Sequence, residues 1–256
     1  MRIRWQSFID PAQHASYFSL LEAQLHDSAG SQVSYEIIGM QPPDTELHRL
    51  SEARCALRAV ANAVEAERDG CDAFLLGHFQ DSGLHEARSA VSIPVLGLGE
   101  TSMLHACTLG QRVGLITIDP IFIPWHQEQI VRYGLSERVA GVSAIEALDV
   151  SDYVSACRDE RSLAFVLEQF EHAAAPLLTA GADVLIPAGG LPALVLSRCS
   201  GLTVDGAAVL NPVPVLAKHG EAAVALGHLG LPVASRRGAF AAPSRRCLEQ
   251  FLTALA

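Results

Sequence analysis

The sequence predicts an α/β protein built on parallel strands, and three observations carry that prediction. Its apolar runs are short and rich in β-branched residues, as in strands buried on both faces. Helical patterns separate those runs, so successive strands are joined by crossovers. Half of the 256 residues are hydrophobic and only 18% are charged, which supports a large core and excludes a disordered chain. A chain of this length makes one large domain or two of roughly 100–150 residues each.

Taken in order, Ile3–Ile9 is the first expected strand. Asp10 and Pro11 supply an N-cap and an N1 proline for a helix running to about His26. Val33–Ile38 is the second strand. A helix follows from Leu50 to about Arg68, with Leu57, Val60, Ala61 and Val64 on its apolar face and Gly70 ending it. Ala73–Gly77 is a strand, then come a polar loop, a helix from about Leu84 and the strand Pro94–Leu98. A helix from about Thr101 to Leu109 opens the second half, ahead of the strand Val113–Ile118. A helix near Pro124–Tyr133 and a weak strand near Val139–Val142 follow. Arg161–Thr179 is helical despite Pro176, and Gly181 sets up the strand Val184–Pro187. Leu202–Val204 is the last strand of that half, and a final helix and a polar return segment at 234–242 complete the chain.

Charge and motifs narrow the function classes. The 18 basic and 28 acidic residues leave a net charge of −10 without a Lys/Arg run, which argues against nucleic acid and anionic membrane as partners. No apolar run reaches the roughly 18 residues of a membrane span. Arg2, Arg4 and Trp5-Gln6-Ser7 at the N-terminus lack the apolar stretch of a secretory signal. The six cysteines are scattered without a CxxC pair, so they read as reduced, mostly buried thiols of a cytoplasmic protein. GxGxxG, P-loop, HExxH and GxSxG patterns are all missing, and no cofactor or metal is expected.

The chain also echoes itself. Asp72-Ala-Phe-Leu-Leu-Gly-His78 and Asp183-Val-Leu-Ile-Pro-Ala-Gly189 both run from an acid through a buried strand into a turn. Each follows a helix closed by glycine, Gly70 or Gly181, and each precedes another helical stretch. Two similar α/β halves place these turns at the carboxyl ends of their strands, where open sheets bind ligands.

At these residues the sequence resembles the aspartate/glutamate/hydantoin racemase superfamily, most closely its hydantoin and allantoin racemase branch. The matching stretches are 72–84, Ile93-Pro-Val-Leu-Gly-Leu-Gly-Glu100 and Leu109-Gly-Gln-Arg-Val-Gly-Leu-Ile-Thr117. Residues 132–141, 181–186 and Ser235-Arg-Arg-Gly-Ala-Phe240 continue the match in family order. The resemblance implies two pseudo-symmetric parallel-sheet α/β subdomains with the active site in the cleft between them, the first from 1–99 plus 206–256 and the second from 100–205. It also implies a small-molecule substrate, a homo-oligomer and cofactor-free proton transfer between two cysteines, one at each turn. Here the turns read His78-Phe79-Gln80-Asp81-Ser82-Gly83 and Pro187-Ala188-Gly189-Gly190, with no thiol in either. Cys71, the nearest in sequence, begins its strand and stands about 20 Å from the turn.

His78 occupies the place of the first thiol, and imidazole exchanges protons near neutral pH. Asp81 is positioned to orient that ring or to fix its tautomer. Backbone amides at Ser82-Gly83 and Gly189-Gly190 either hold an anion or simply make tight turns. Gln6 and Ser7 bring polar atoms toward the end of the first strand, and Asp10 either binds a substrate group or caps a helix. Glu100 and Thr101 are substrate anchors or helix caps, and Thr117 and Asp119 end the first strand of the second half. His78, Asp81 and His85 share one face only on an unbroken helix, which Gly83 interrupts, so metal binding is disfavoured. The preferred reading is an isomerase or epimerase acting on the carbon acid of a small carboxylate, cyclic amide or lactone. A decarboxylase, C–C lyase or hydrolase is the alternative enzyme class, and a non-catalytic small-molecule binder is the alternative of another kind.

Overall fold

The computed structural model describes residues 1–255 apart from 11, 13 and 43–45, and of residue 150 only the backbone. β1 (Arg2–Gln6) leads through α1 (Ala15–Ser28) to β2 (Ser34–Ile38), and α2 (Arg49–Arg68) leads to β3 (Ala73–Leu76). α3 (Leu84–Ala90) and β4 (Val95–Gly97) follow, and α4 (Leu98–Ala106) starts directly from β4. The chain continues with β5 (Val113–Thr117), α5 (Phe122–Arg132), β6 (Val139–Ala144), α6 (Val150–Ala156) and α7 (Glu160–Thr179). β7 (Val184–Pro187), α8 (Gly190–Leu196), β8 (Thr203–Val204) and β9 (Ala207–Val209) come next, then α9 (Pro212–His228) and α10 (Arg245–Leu255).

Two compact units result. One comprises Met1–Gln13, Leu25–Leu98 and Leu216–Ala256, and the other His14–Gln24 and Gly99–Val215. Residues 206–215 belong to the second because β9 adds in parallel to β7. The first unit holds a parallel sheet of order β2-β1-β3-β4, and the second a sheet of order β6-β5-β7-β9-β8. The second sheet repeats the order of the first, with β6, β5, β7 and β9 in the places of β2, β1, β3 and β4. Its extra strand, β8, pairs antiparallel with β9 at the edge. The internal echo in the sequence is therefore an echo of topology. In such an order the chain reverses direction across the sheet between its first and third strands, which puts a switch point at the carboxyl ends of β1 and β3, and of β5 and β7.

The repeated acids anchor the repeat. The carboxylate of Asp72 accepts the Arg2 N–H at 2.7 Å at the head of β1. That of Asp183 accepts the N–H groups of Gln111 at 2.8 Å and Arg112 at 2.9 Å at the head of β5. These bonds hold the Asp183 carboxyl below the usual aspartate range, the Gln111 bond contributing most. Each acid pins neighbouring strands in register at the end opposite the switch point.

In the first unit the small, buried face of α2, including Ala59, Val60, Ala63 and Val64, packs on Phe74, Leu76 and Val95. On β1, Trp5 fills the space that a side chain at position 77 would need: a Cβ there would lie 2.1 Å from the Trp5 Nε1. Gly77 is therefore obligatory, and the first residue beyond β3 free to carry a side chain is His78. In the second unit Leu163, Val166, Phe170, Ala174 and Leu177 make the buried stripe of α7. Pro176 is tolerated there because it lies on the exposed side of the last turn.

Several sequence expectations need correction. β1 stops at Gln6 rather than Ile9, and the helix expected from Asp10 starts only at Ala15. Asp10 caps a local turn instead, accepting the Ala12 N–H at 3.0 Å, and Pro11 lies outside the described residues. Leu57 is 46% exposed because the buried stripe of α2 is centred on Ala59, Ala63 and Ala66. α4 starts at Leu98 rather than Thr101, and α5 at Phe122 rather than Pro124. α6, β9 and α10 lie outside the expected elements; the strand expected at Leu202–Val204 is β8, and β9 follows it as the last strand. A capping box on Asp149 starts α6, a local signal that the apolar periodicity hides. Of the six cysteines only Cys55, Cys71 and Cys157 are buried, so the thiols are not mostly interior.

Candidate active site

The switch point of the first unit is built by the ends of β1 and β3. Gln6 pairs with Leu76, and the Gly77 N–H donates to the Gln6 carbonyl at 2.8 Å, which brings the two strand ends level. Phe8 and His78 therefore emerge side by side, and their rings stack with centroids 4.2 Å apart and planes inclined by 13°. The His78 side chain is 20% exposed, so the ring is neither interior nor freely solvated. Its Nε2 lies 3.5 Å from the Oε1 of Glu52, in the first turn of α2. The other carboxylate oxygen, Oε2, accepts a hydrogen bond from the Ser82 hydroxyl.

The turn that carries His78 is tightly specified. Asp81 has φ of 55°, its N–H donates to the His78 carbonyl at 3.1 Å, and its own carbonyl accepts the Leu84 N–H at 3.0 Å. It is 1% exposed, and its carboxyl lies so close to the Gly97 α-carbon that a Cβ there would fall 2.3 Å from Oδ1. Gly83 has φ of 84°, and a Cβ on it would stand 2.7 Å from the Ala56 carbonyl oxygen. Glycine is thus needed at 83 both for its conformation and for the close approach of α2. α3 begins only at Leu84, so His78, Asp81 and His85 do not share a helix face. His85 turns its ring edge to Phe240, 5.4 Å between centroids. Among the described residues no group of three His, Cys, Asp or Glu side chains is placed to hold a metal.

The remaining first-unit positions make hydrogen bonds within the unit. Gln6 is fully buried: its amide donates to the carbonyls of Ser7 and Gly39, and its oxygen accepts from Asn62 at 2.6 Å. The Ser7 hydroxyl, also buried, accepts the Ile9 N–H at 3.4 Å. Asp10 is bound by Ala12 and by the Gln41 amide.

The corresponding switch point of the second unit is made by Thr117 and the turn after β7. The Ala188 N–H donates to the Ile116 carbonyl at 2.7 Å, matching the Gly77 bond of the first unit and setting Gly189 in the place of His78. The Gly189 N–H is taken by the Pro187 carbonyl at 2.9 Å, so it is not a donor in waiting. Gly190 opens α8, whose seven residues are nearly all buried. Thr117 is fully buried and its hydroxyl has no hydrogen-bond partner. Thr101 is 6% exposed within α4, and Glu100 stands in the first turn of that helix. Asp119 closes the turn ahead of α5, accepting the Ile121 N–H at 2.8 Å. His126 is core, its Nδ1 3.1 Å from the Oε1 of Gln129.

Sequence reasoning missed Glu52 and Phe8. Phe8 had a signal, since an aromatic just past β1 must emerge beside whatever follows the neighbouring strand. Glu52 had none: 26 positions before His78, it looks like any glutamate in a first helical turn.

Each unit is thus an open α/β sheet with a switch point at the carboxyl ends of its strands, and comparison with known proteins makes the class specific. The sequence model of the Asp/Glu/Hydantoin racemase family matches residues 8–220, and the chain belongs to that family. It is 26% identical over 185 residues to a hydantoin racemase of Rhizobium meliloti, covering 69% of this chain and 70% of that one. Its fold is that of the allantoin racemase from Klebsiella pneumoniae, with a TM-score of 0.76 at 21% identity over 96% of this chain and 94% of the other. The allantoin racemase from Pseudomonas fluorescens gives a TM-score of 0.73 at 20% identity, over 95% and 97%. Among the described residues no helix is long and apolar enough to cross a membrane.

Proposed function

We propose that this chain is a cofactor-independent isomerase or epimerase that moves the proton of a carbon acid in a small carboxylate, cyclic amide or lactone, with His78 as general acid and base. Membership of the racemase family supports isomerase-type chemistry on a small molecule. The names of its relatives make hydantoins and allantoin the first compounds to try. The observation that carries the reading is the placement of His78: two residues past β3, at a switch point, partly exposed and faced by a carboxylate. An imidazole there does the work for which the family resemblance implies a cysteine.

In this reading the neutral ring takes the proton from the substrate carbon, and the electron pair of that C–H bond passes into the adjacent carbonyl as an enolate. The imidazolium then returns the proton to the same carbon or to a neighbouring atom on that face; in an epimerisation a water molecule instead protonates the opposite face, and the hydroxide it leaves takes the imidazolium proton. Asp81 orients the ring through the turn, by its N–H bond to the His78 carbonyl. Ser82 and Gly83 frame the turn that carries His78.

The test is proton NMR in D2O of 5-methylhydantoin, allantoin, a substituted malonate and an unsaturated lactone. The expected result is exchange at the activated carbon of at least one compound above the buffer rate, abolished in His78→Ala. No exchange with any of them, or exchange that survives His78→Ala, overturns the reading.

A further inference from the structure

We infer that Glu52 is the positioning carboxylate of His78, and that Ser82 and the Gly83–Ala56 contact hold it in place. This rests on the reading of His78 as the proton-transfer group. The two oxygens of Glu52 have separate tasks: Oε1 faces the imidazole Nε2 at 3.5 Å, and Oε2 receives the Ser82 hydroxyl. With the Glu52 side chain 21% exposed and that of His78 20% exposed, most water is excluded from the pair, and their interaction is less screened than at an open surface.

The separation of the pair is set by backbone. Glu52 stands on α2, and one helical turn further on the Ala56 carbonyl touches the α-carbon of Gly83. Gly83 adjoins Ser82 in the turn that begins at His78, so a backbone contact spaces the carboxylate from the ring. Phe8 closes one face of the imidazole, which leaves its edge for polar partners. Of the other titratable groups near the turn, the Asp81 carboxyl lies against Gly97 and the His85 ring meets the Phe240 ring edge to face.

A carboxylate beside Nε2 stabilises the imidazolium over the neutral ring. Nδ1 is buried, so the substrate proton goes to the Nε2 edge, its C–H electron pair stays on the substrate, and Glu52 remains an anion beside the imidazolium. Ser82, by donating to Oε2, keeps the carboxylate turned toward the ring.

The test is 15N NMR of histidine-labelled protein across pH, with the His78 signals assigned by their loss in His78→Asn. Exchange of 5-methylhydantoin is measured in parallel. Glu52→Gln should lower the His78 titration midpoint by about half a unit or more, because the imidazolium loses its counter-charge. The acid limb of the exchange rate should move down with it, and kcat should fall at least about tenfold with little change in KM. Glu52→Asp should restore part of the midpoint, and Ser82→Ala should lower it less than Glu52→Gln does. If Glu52→Gln is misfolded by circular dichroism, Glu52→Asp and Ser82→Ala carry the test alone. An unchanged His78 midpoint in the folded variants overturns the inference even if His78→Ala is inactive. A shifted midpoint alongside exchange that survives His78→Ala upholds the pairing and overturns the proposed function instead.

Discussion

The turn after β3 and the turn after β7 are built on the same plan and finished differently. Each follows an acid that anchors the head of a neighbouring strand, and each is levelled by one N–H bond across the switch point, Gly77 to Gln6 or Ala188 to Ile116. One residue further on, the first turn presents an imidazole against an aromatic ring and a carboxylate, and the second presents glycine. Glycine has different reasons in the two places. Gly83 is forced by a positive φ and by the Ala56 carbonyl, whereas Gly189 is extended and meets only the Pro192 ring at 3.1 Å. The scaffold repeats while the chemical equipment does not, so a repeated fold is no guide to a repeated role.

The largest effect that sharpens this contrast is chemical. His78→Ala should cost about 10²- to 10⁴-fold in proton exchange, measured by NMR in D2O, with an unchanged circular dichroism spectrum. Substituting Gly189, which holds the matching place, should leave folding intact. Among stability effects, Gly83→Ala should cost about 3 kcal/mol, from backbone strain and overpacking together. Gly189→Ala should cost less than about 1 kcal/mol, since the Pro192 ring can shift by a few tenths of an ångström. Equal losses in urea titrations of the two variants would break the comparison.

The smallest effect belongs to the anchoring acids. Asp183→Asn should lose about 1 kcal/mol at neutral pH, and Asp72→Asn, which gives up a bond to one N–H rather than two, should lose less. Because the Asp183 carboxyl is held below its unfolded value, its contribution is present above that value, near pH 4, and fades as pH falls through the lower folded one. Wild type and Asp183→Asn should therefore converge in stability under strong acid, a result that acid titration of the melting temperature checks.

Much of this architecture is legible in the residues. Buried β-branched runs, closing glycines and the duplicated acid–strand–turn pattern announce two parallel sheets, because each reflects local physics that the chain carries with it. The elements that escaped are those whose reasons are tertiary or very short. β9 is three residues held by β7, and α10 buries Leu248, Phe251 and Leu252 only in part against the first unit's core. His78 is found from its place after a strand, whereas its partner Glu52 is found only once α2 has packed. The same limit applies to Gln6, whose amide looks available in sequence and is spent on Asn62, Ser7 and Gly39 in the fold.

The parallel stacking of Phe8 on His78 has a practical corollary. A benzene ring lying flat over an imidazole bathes its carbon-bound protons in a ring-current field, so those resonances should stand upfield of the other histidines and return toward them in Phe8→Leu. The catalytic candidate thus carries its own magnetic label, readable in a plain proton spectrum before any substrate is known.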